Sequence, residues 1–244
     1  MFSNLLKAAK TPAARALAAA GLLALAGVQA QAALITSRAA LGGTGTLDWA
    51  QLGGDGSSPA ALPAAVTTSI SGLTATVSGS GGSLTRYNEG AGTFAGDFAS
   101  GDALITTTLG TGGTIVIDFN LGVSRVGAQI QGFDWSAFDG TITAYDAFNT
   151  QLETYTVTDD DVFDRADNSA MFLGISRATA DIDHIVFSIK NANLEDFAIN
   201  MLSLSQAITN TGGGGNRVPE PATLGLAALA LAGVGASRRR AKQA

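Results

Sequence analysis

Segments in which apolar and polar residues alternate recur through the middle of this chain, between residues 33 and 208. In one of them, Ile115, Ile117 and Phe119 occupy alternate positions. Because successive side chains of a β-strand point to opposite faces of a sheet, such a segment predicts a strand with one buried face. The predicted strands cover residues 73–78, 103–108, 114–119, 125–131, 141–147, 152–158, 170–175, 183–189 and 197–205. Helical periodicity is scarce, so the pattern predicts an all-β domain.

The connections between these segments indicate how the strands are arranged. They are rich in Gly, Asn and Asp, which favour turns, and residues 147–151 have a length suited to a hairpin loop. Nine or ten antiparallel strands over roughly 175 residues predict a single antiparallel β-sandwich of jelly-roll type at residues 33–208. Residues 41–113 are richer in Gly, Ser and Thr, and we expect longer loops there within the same domain. The chain has no Cys, so neither disulfides nor thiolate zinc sites stabilise it.

Charge is distributed unevenly along the 244 residues. Seven of the 14 Lys and Arg residues lie outside residues 33–220, whereas all 20 Asp and Glu residues lie inside that interval. The interval therefore carries a net charge of −13, compared with −6 for the whole chain. An acidic surface repels phosphate groups, so this charge distribution argues against a nucleic-acid-binding protein.

The N-terminus has the three parts of a secretory signal peptide. Lys7, Lys10 and Arg15 precede an apolar run at residues 16–28, and small residues follow at Ala30-Gln31-Ala32. The thirteen residues of the run are too few to span a bilayer comfortably. We expect signal peptidase to remove residues 1–32 by cleavage after Ala32, and Val28-Gln29-Ala30 offers a second site after Ala30. A buried or amphipathic Ala-rich helix is the alternative interpretation.

The C-terminus carries a second short apolar segment. Residues 209–217 predict a Gly-rich flexible linker, and Pro219-Glu220-Pro221 predicts a rigid, extended stretch after it. Residues 222–236 are apolar or small and precede Arg238, Arg239 and Arg240. As a helix, this segment would reach only about 22 Å, which is less than a typical hydrocarbon core. We expect a weak transmembrane helix with its Arg cluster in the cytoplasm; a permanent anchor is the alternative.

This order of segments resembles the PEP-CTERM sorting signal, which joins a Pro-Glu-Pro tripeptide, a short apolar helix and a terminal Arg cluster. Residues 218–244 contain all three parts. The resemblance implies export from a Gram-negative bacterium, transient anchoring in the inner membrane and processing by an exosortase near Pro219-Glu220-Pro221. It also implies association with exopolysaccharide and a final location at the cell surface or outside the cell. The same tail is sometimes labelled an ice-binding-protein C-terminal domain, a label that concerns the sorting segment alone.

The second half of the predicted sandwich resembles secreted β-sandwiches of the carbohydrate-binding-module or galactose-binding type. The resemblance rests on the runs at residues 125–130, 141–146, 172–175, 184–187 and 196–204. It implies the same fold and makes a secreted glycan-binding module the alternative function, although it identifies no binding residue. A concave aromatic face would favour glycan binding, whereas a flat Ser and Thr face would favour a structural or adhesive role.

Two stretches contain candidate ligand-binding residues. Asp159, Asp161 and Asp164 belong to a stretch dense in carboxylates, the ligands that Ca²⁺ prefers, but the Gly and the trailing Glu of an EF-hand are absent. A solvated acidic loop is therefore favoured over a calcium site. Asp134 and Asp139 flank Trp135 in an arrangement that would suit stacking against a sugar. Closure of one end of the core is the favoured interpretation of these aromatic residues.

The sequence contains no recognisable catalytic arrangement. His184 is the only His, and its alternation with Ile185 and Phe187 places it on a polar strand face. No G-x-S-x-G or other nucleophile motif accompanies it, and a zinc hydrolase would lack ligands. A pair of carboxylates across a cleft would suffice for a polysaccharide-active hydrolase, the remaining enzymatic alternative. We therefore expect a non-enzymatic protein without a cofactor. A structural calcium ion at Asp159, Asp161 and Asp164 is the one alternative to this expectation.

Overall fold

A computed structural model describes residues 32–59, 63–80, 83–90, 94, 96–107, 113–133, 136–160, 166–190 and 196–206. They belong to one compact unit, Gln31–Ile208. The predicted signal segment up to residue 31, the linker at 209–217 and the sorting segment at 218–244 lie outside the described residues. Within the described ranges, no helix is long and apolar enough to cross a membrane.

The described residues contain fourteen strands, one short α-helix and one 3-10 helix. The strands are β1 (Ala33–Ile35), β2 (Gly45–Leu47), β3 (Ala64–Thr67), β4 (Thr74–Ser80), β5 (Thr85–Asn88), β6 (Ala103–Thr106), β7 (Thr114–Val123), β8 (Arg125–Gly132), β9 (Phe138–Tyr145), β10 (Gln151–Asp159), β11 (Met171–Ser176), β12 (Ile182–Lys190), β13 (Phe197–Ile199) and β14 (Leu202–Ser205). The α-helix, α1, spans Arg38–Leu41, and the 3-10 helix spans Trp49–Leu52.

The strands form two antiparallel sheets that pack as a sandwich. One sheet has six strands in the order β10-β9-β12-β7-β4-β3. The other has eight: six follow the order β1-β11-β8-β13-β6-β5, and β14 pairs with both β8 and β2. Because β13 and β14 lie along the same edge of β8, Ala198 pairs with Gln131 and Ser203 pairs with Gly127. The chain between these two strands passes through Asn200 and Met201.

The main core lies between the two sheets. Val126, Ala128 and Ile130 of β8 are fully buried, and so are Ile185 and Phe187 of β12. Removal of these apolar surfaces from water is the dominant stabilising term, at roughly 25 cal/mol per Å². A smaller apolar cluster forms a second, separate core; its buried members are Phe94, Phe98, Leu104, Ala170 and Ala198.

The predicted antiparallel β-sandwich is confirmed, and each predicted strand segment contains an observed strand. The hairpin is also confirmed, since β9 and β10 pair on either side of the loop at residues 146–150. The segment at 197–205 was predicted as one strand but forms two, because the chain interrupts the sheet at Asn200 and Met201. Strands β1, β2, β3 and β5 were not predicted, since three or four residues are too few for alternation to be distinctive.

Candidate functional site

The buried side chain of Asn200 joins three parts of the chain. Its Oδ1 accepts hydrogen bonds from the backbone N–H of Gln129 at 3.0 Å and from Nη2 of Arg38 at 2.9 Å. Its Nδ2 donates to Oε1 of Gln129 at 2.6 Å and to Oδ2 of Asp102 at 2.8 Å. An amide group has two donors and two acceptor lone pairs, so Asn200 uses its full capacity here. The interruption between β13 and β14 therefore positions a fully satisfied polar group on the eight-stranded sheet.

Arg38, the first residue of α1, is held by the same network. Its Nη1 donates to the carbonyl oxygen of Met201 at 2.9 Å and to Oγ of Ser203 at 2.6 Å. Its guanidinium carbon lies 5.3 Å from the centroid of the Phe172 ring, a cation–π contact. Partial burial lowers the pKa of Arg38, and the negative charge of Asp102 opposes that shift. Because an Arg side chain keeps its proton in proteins, the site contains a fixed, partly desolvated cation.

The Phe172 ring lies against two glycines on neighbouring strands. Gly127 of β8 pairs with Gly174 of β11, two residues along β11 from Phe172. A Cβ atom built on Gly127 would lie 2.8 Å from the ring, and one built on Gly174 would lie 3.0 Å from it. The missing side chains therefore let the ring lie close to the backbone of the sheet, where it supports Arg38.

A cavity of about 390 Å³ opens beside Arg38 and Phe172. It lies near the point where β1 ends, since Ile35 pairs with Gly174 and the next residues of the chain line the cavity wall. The wall combines hydroxyl, amide, apolar and cationic groups, from Thr36, Ser37, Arg38, Gln129, Val157, Asn168, Ser169, Ala170, Met171 and Phe172. Cavities of this size and mixed lining suit small ligands or single units of a polymer.

A second cavity of about 390 Å³ lies on the six-stranded sheet and has an acidic lining. Its lining residues are Asp118, Phe119, Asp146, Ala147, Asn149, Asp183 and His184. The His184 ring stacks on Tyr145 with a centroid distance of 4.5 Å, and its Nδ1 lies 3.9 Å from Oδ1 of Asp118. His184 is partly exposed on the outer face, where its alternation with buried Ile185 and Phe187 placed it.

The carboxylate of Asp146 at this cavity has a structural task. Its Oδ1 accepts backbone N–H groups of Phe148 at 2.9 Å and Thr150 at 2.8 Å, which closes the turn between β9 and β10. The N–H of Thr150 is the main reason why the pKa of Asp146 lies below its usual range. Within the described part of the chain, no group of three or more His, Cys, Asp or Glu residues is placed to hold a metal ion.

The C-terminal segment matches one known family. The family, described as PEP-CTERM protein-sorting motif, matches residues 217–240. This chain carries a PEP-CTERM sorting motif. A PEP-CTERM tail implies that an exosortase sorts the protein to the surface through a membrane-anchored precursor. No curated protein matches the chain significantly.

Solved structures similar to this chain include carbohydrate-binding-module-like β-sandwiches. A family 29 module in complex with mannohexaose is 14% identical, covers 67% of this chain and 93% of its own, and has a TM-score of 0.31. The family 32 module of AlyQ in complex with 4,5-unsaturated mannuronic acid is 17% identical, with coverages of 48% and 92% and a TM-score of 0.26. A DUF4465 family protein from Bacteroides caccae is 12% identical, with coverages of 55% and 82% and a TM-score of 0.33.

Only some of the residues predicted as sites lie in the part of the chain that the structure describes. Asp139 lies on the outer face of β9, where its Oδ1 accepts a hydrogen bond from Oγ1 of Thr158 at 2.6 Å. Asp159 is the last residue of β10 and pairs in register with Phe138. The carbonyl of Ala32 accepts a hydrogen bond from the Tyr155 hydroxyl at 3.0 Å. The other predicted residues lie outside the described residues: Ala30, Asp134, Trp135, Asp161, Asp164, Pro219, Glu220, Pro221, Arg238, Arg239 and Arg240.

Sequence reasoning missed the network around Arg38, although two signals point toward it. Asn200 is a polar residue inside the apolar run at 197–205, and Arg38 is one of only seven cations between residues 33 and 220. A polar residue within a buried strand needs hydrogen-bond partners, so Asn200 indicates a local network. Neither signal identifies the partner, because Arg38 and Asn200 are 162 positions apart.

Proposed function

We propose that this chain is an exported, non-enzymatic protein of the cell surface or extracellular matrix, delivered by exosortase sorting and associated with exopolysaccharide. The match of residues 217–240 to the PEP-CTERM motif carries the proposal. The signal-like N-terminus supports it, because export and sorting would need both ends of the chain. The precursor would be anchored in the inner membrane and then released.

A structural role for the sandwich is supported by the outer face of its six-stranded sheet. This face presents pairs of hydroxyl groups on neighbouring strands: Thr141 with Thr156, and Thr143 with Thr154, each at 2.9 Å. Such cross-strand pairs stabilise the sheet and keep the face polar. A flat hydroxyl-bearing surface suits many weak contacts with a hydrated polymer.

The non-enzymatic part of the proposal rests on the sequence, in which no nucleophile motif accompanies His184.

The sorting role can be tested by replacing Pro219, Glu220 and Pro221 with Ala in the native host. We expect the variant to stay in the membrane fraction and to lose surface release, because the processing enzyme would no longer recognise the tail. Replacing Thr209, Asn210 and Thr211 with Ala provides a matched control in the adjoining linker and should leave release unchanged. Normal release of the first variant would refute the sorting role of the tripeptide.

A second function, recognition of one unit of a polysaccharide, is favoured by the cavity beside Arg38. Its size and its mixture of hydroxyl, amide and apolar groups suit a sugar. For a glycan-binding module, the sequence offers two other places, an exposed sandwich face and the loop around Trp135. Screening the full chain and its Trp135→Ala variant on a polysaccharide array distinguishes the cavity from that loop, since binding at the Arg38 cavity should survive that substitution.

A further inference from the structure

Arg38 retains hydrogen-bonding capacity at the cavity. A guanidinium has five N–H donors, and three are used by Met201, Ser203 and Asn200. In the described part of the chain, the remaining donors are Nε–H and one N–H of Nη2. Arg38 lines the cavity, so a ligand there has access to a cation with donors to spare.

The Arg38 side chain is also held in place before any ligand arrives. Three hydrogen bonds and the Phe172 ring fix the guanidinium. Ordering a flexible side chain on binding costs conformational entropy, and folding has already ordered this one. A group ordered in advance loses less conformational entropy on binding than a flexible one.

The charge of Arg38 lacks a direct carboxylate partner among the described residues. Asp102 contacts the network through Asn200, whose Nδ2 donates to its Oδ2 at 2.8 Å. Partial burial removes water from the guanidinium, and this desolvation is the main reason for its lowered pKa. A partly desolvated cation gains more from a bound anion than an exposed one does, since water screens the interaction less.

The remaining walls of the cavity suit a hydroxylated ring. Thr36 and Ser169 offer hydroxyl groups, and Val157 and Met171 offer apolar surface for the C–H face of a sugar. Asn168 has a φ of 68°, in the left-handed region that Asn adopts more readily than most residues. Gln129 donates from Nε2 to the carbonyl of Asn168 at 3.1 Å, and its Oε1 accepts from Nδ2 of Asn200. The network around Arg38 therefore also holds this part of the cavity wall.

We propose that this cavity binds a uronic acid unit of an acidic polysaccharide, with the sugar carboxylate paired to Arg38 and the ring resting between Val157, Met171 and the hydroxyls of Thr36 and Ser169. This inference rests on the second function proposed above, recognition of one polysaccharide unit at this cavity, and specifies a uronic acid as that unit. The acidic charge of residues 33–220 repels a polyanion in general. Binding of an acidic glycan therefore reports a specific site and not diffuse attraction.

The test uses the full chain, purified in mild detergent, and titration calorimetry with oligogalacturonate, oligoglucuronate and oligomannuronate. We expect at least one of the three acids to bind. Its methyl ester lacks the negative charge and should bind at least about tenfold more weakly, because a charge-assisted hydrogen bond to Arg38 is lost. Arg38→Gln should weaken binding of the acid to the level of the ester. Absence of binding by all three acids, or equal binding of acid and ester, would overturn the proposal.

A second variant keeps the test decisive if Arg38→Gln does not fold. Thr36 is an exposed residue of the cavity wall, so Thr36→Trp fills the cavity from its rim. Thr74→Trp places the same side chain at an exposed position of β4, away from the cavity. Thermal unfolding checks that both variants fold. Thr36→Trp should abolish binding and Thr74→Trp should preserve it; equal binding by both would place the ligand elsewhere. Sorting is scored separately in the host, so a binding failure leaves the PEP-CTERM role standing.

Discussion

At the scale of single residues, the fold is tightly constrained at Gly127, where β8 and β11 approach closely. A methyl group on Gly127 would lie 2.7 Å from the Cα of Gly174 and 2.7 Å from the carbonyl oxygen of Leu173. Both contacts are with backbone atoms, which cannot rotate away as a side-chain terminus does. The same methyl group would meet Phe172, the residue that supports Arg38.

We therefore predict that Gly127→Ala lowers the free energy of unfolding by about 1–3 kcal/mol through overpacking. Urea denaturation measures this change. Gly54→Ala is the matched control, because a Cβ at Gly54 meets no atom within 4 Å. Equal stability of the two variants would show that the strands separate more easily than their contacts indicate.

The ion pair between Arg177 and Asp181 makes stability depend on pH. Arg177 donates to both carboxylate oxygens of Asp181, at 2.7 Å and 2.8 Å, and these hydrogen bonds lower the pKa of Asp181. A carboxylate whose pKa is lower in the folded state stabilises the fold above its unfolded pKa of about 3.9, and this contribution is lost as pH falls through the folded value.

Asp181→Asn should therefore cost about 1 kcal/mol or less at pH 7, since the pair is partly exposed. The difference between parent and variant should shrink as pH falls below about 4. Urea denaturation at a series of pH values measures it. A difference that stays constant down to acidic pH would contradict an electrostatic origin.

At the scale of elements, the β9–β10 hairpin depends on its turn. Asn149 has a φ of 64°, a left-handed conformation that costs most residues roughly 1–2 kcal/mol. Its N–H donates to the carbonyl of Asp146 at 2.9 Å, and Asp146 in turn accepts from Thr150. The left-handed conformation of Asn149 and the carboxylate of Asp146 therefore close the hairpin together.

Asn149→Val should destabilise the protein by about 1 kcal/mol or more, because a β-branched side chain disfavours positive φ. Asn149→Gly should be neutral or slightly stabilising, and Ala147→Val in the same turn should have little effect. Thermal unfolding of the three variants measures their order of stability. A loss of stability in Asn149→Gly as large as that in Asn149→Val would mean that the Asn side chain, and not its backbone conformation, holds the turn.

Among the elements, the long strands could be predicted and the short ones could not. In strand β7, Ile115, Ile117 and Phe119 alternate with less buried residues, so its period is recognisable, whereas β1 has three residues and owes its conformation to pairing with β11. The interruption at Asn200 was hidden for a related reason. A continuous run of apolar residues indicates that both faces of a strand are buried. It does not indicate where the strand is interrupted.

The candidate site was less predictable than the fold. Single-sequence reasoning identifies acidic or aromatic residues that are close in sequence, such as those near Trp135. The cavity beside Arg38 is formed by segments around residues 36–38, 129, 157 and 168–172, which only the folded sheets bring together. By contrast, the sorting motif is contiguous in sequence, which explains why it was recognisable without structure.

At the scale of the whole molecule, the site of signal-peptide cleavage determines whether the exported protein keeps one hydrogen bond, that of the Tyr155 hydroxyl to the carbonyl of Ala32. Cleavage after Ala32 makes Ala33, the first residue of β1, the new N-terminus and removes the carbonyl that Tyr155 binds. Cleavage after Ala30 keeps that carbonyl. We predict cleavage after Ala32, so Tyr155→Phe should cost about 1 kcal/mol in the uncleaved precursor and almost nothing in the exported protein. Intact-mass measurement identifies the N-terminus, and thermal unfolding measures the stability that Tyr155→Phe loses in each form. An N-terminus at Gln31, together with an equal loss of stability in both forms, would contradict the prediction.

The last strand has a mechanical consequence for a protein tethered by its tail. Strand β14 pairs with β8 on one side and β2 on the other. At its end, the carbonyl of Ser205 accepts from the backbone N–H of Ser124 at 2.8 Å, and the Ser205 hydroxyl accepts from the backbone N–H of Thr44 at 3.0 Å. While the C-terminal segment of the precursor is held in the membrane, any pull on the domain acts through Ser205, the last residue of β14. Tension at this point must break bonds to two flanking segments together, which resists unzipping better than a tether joined to an edge strand.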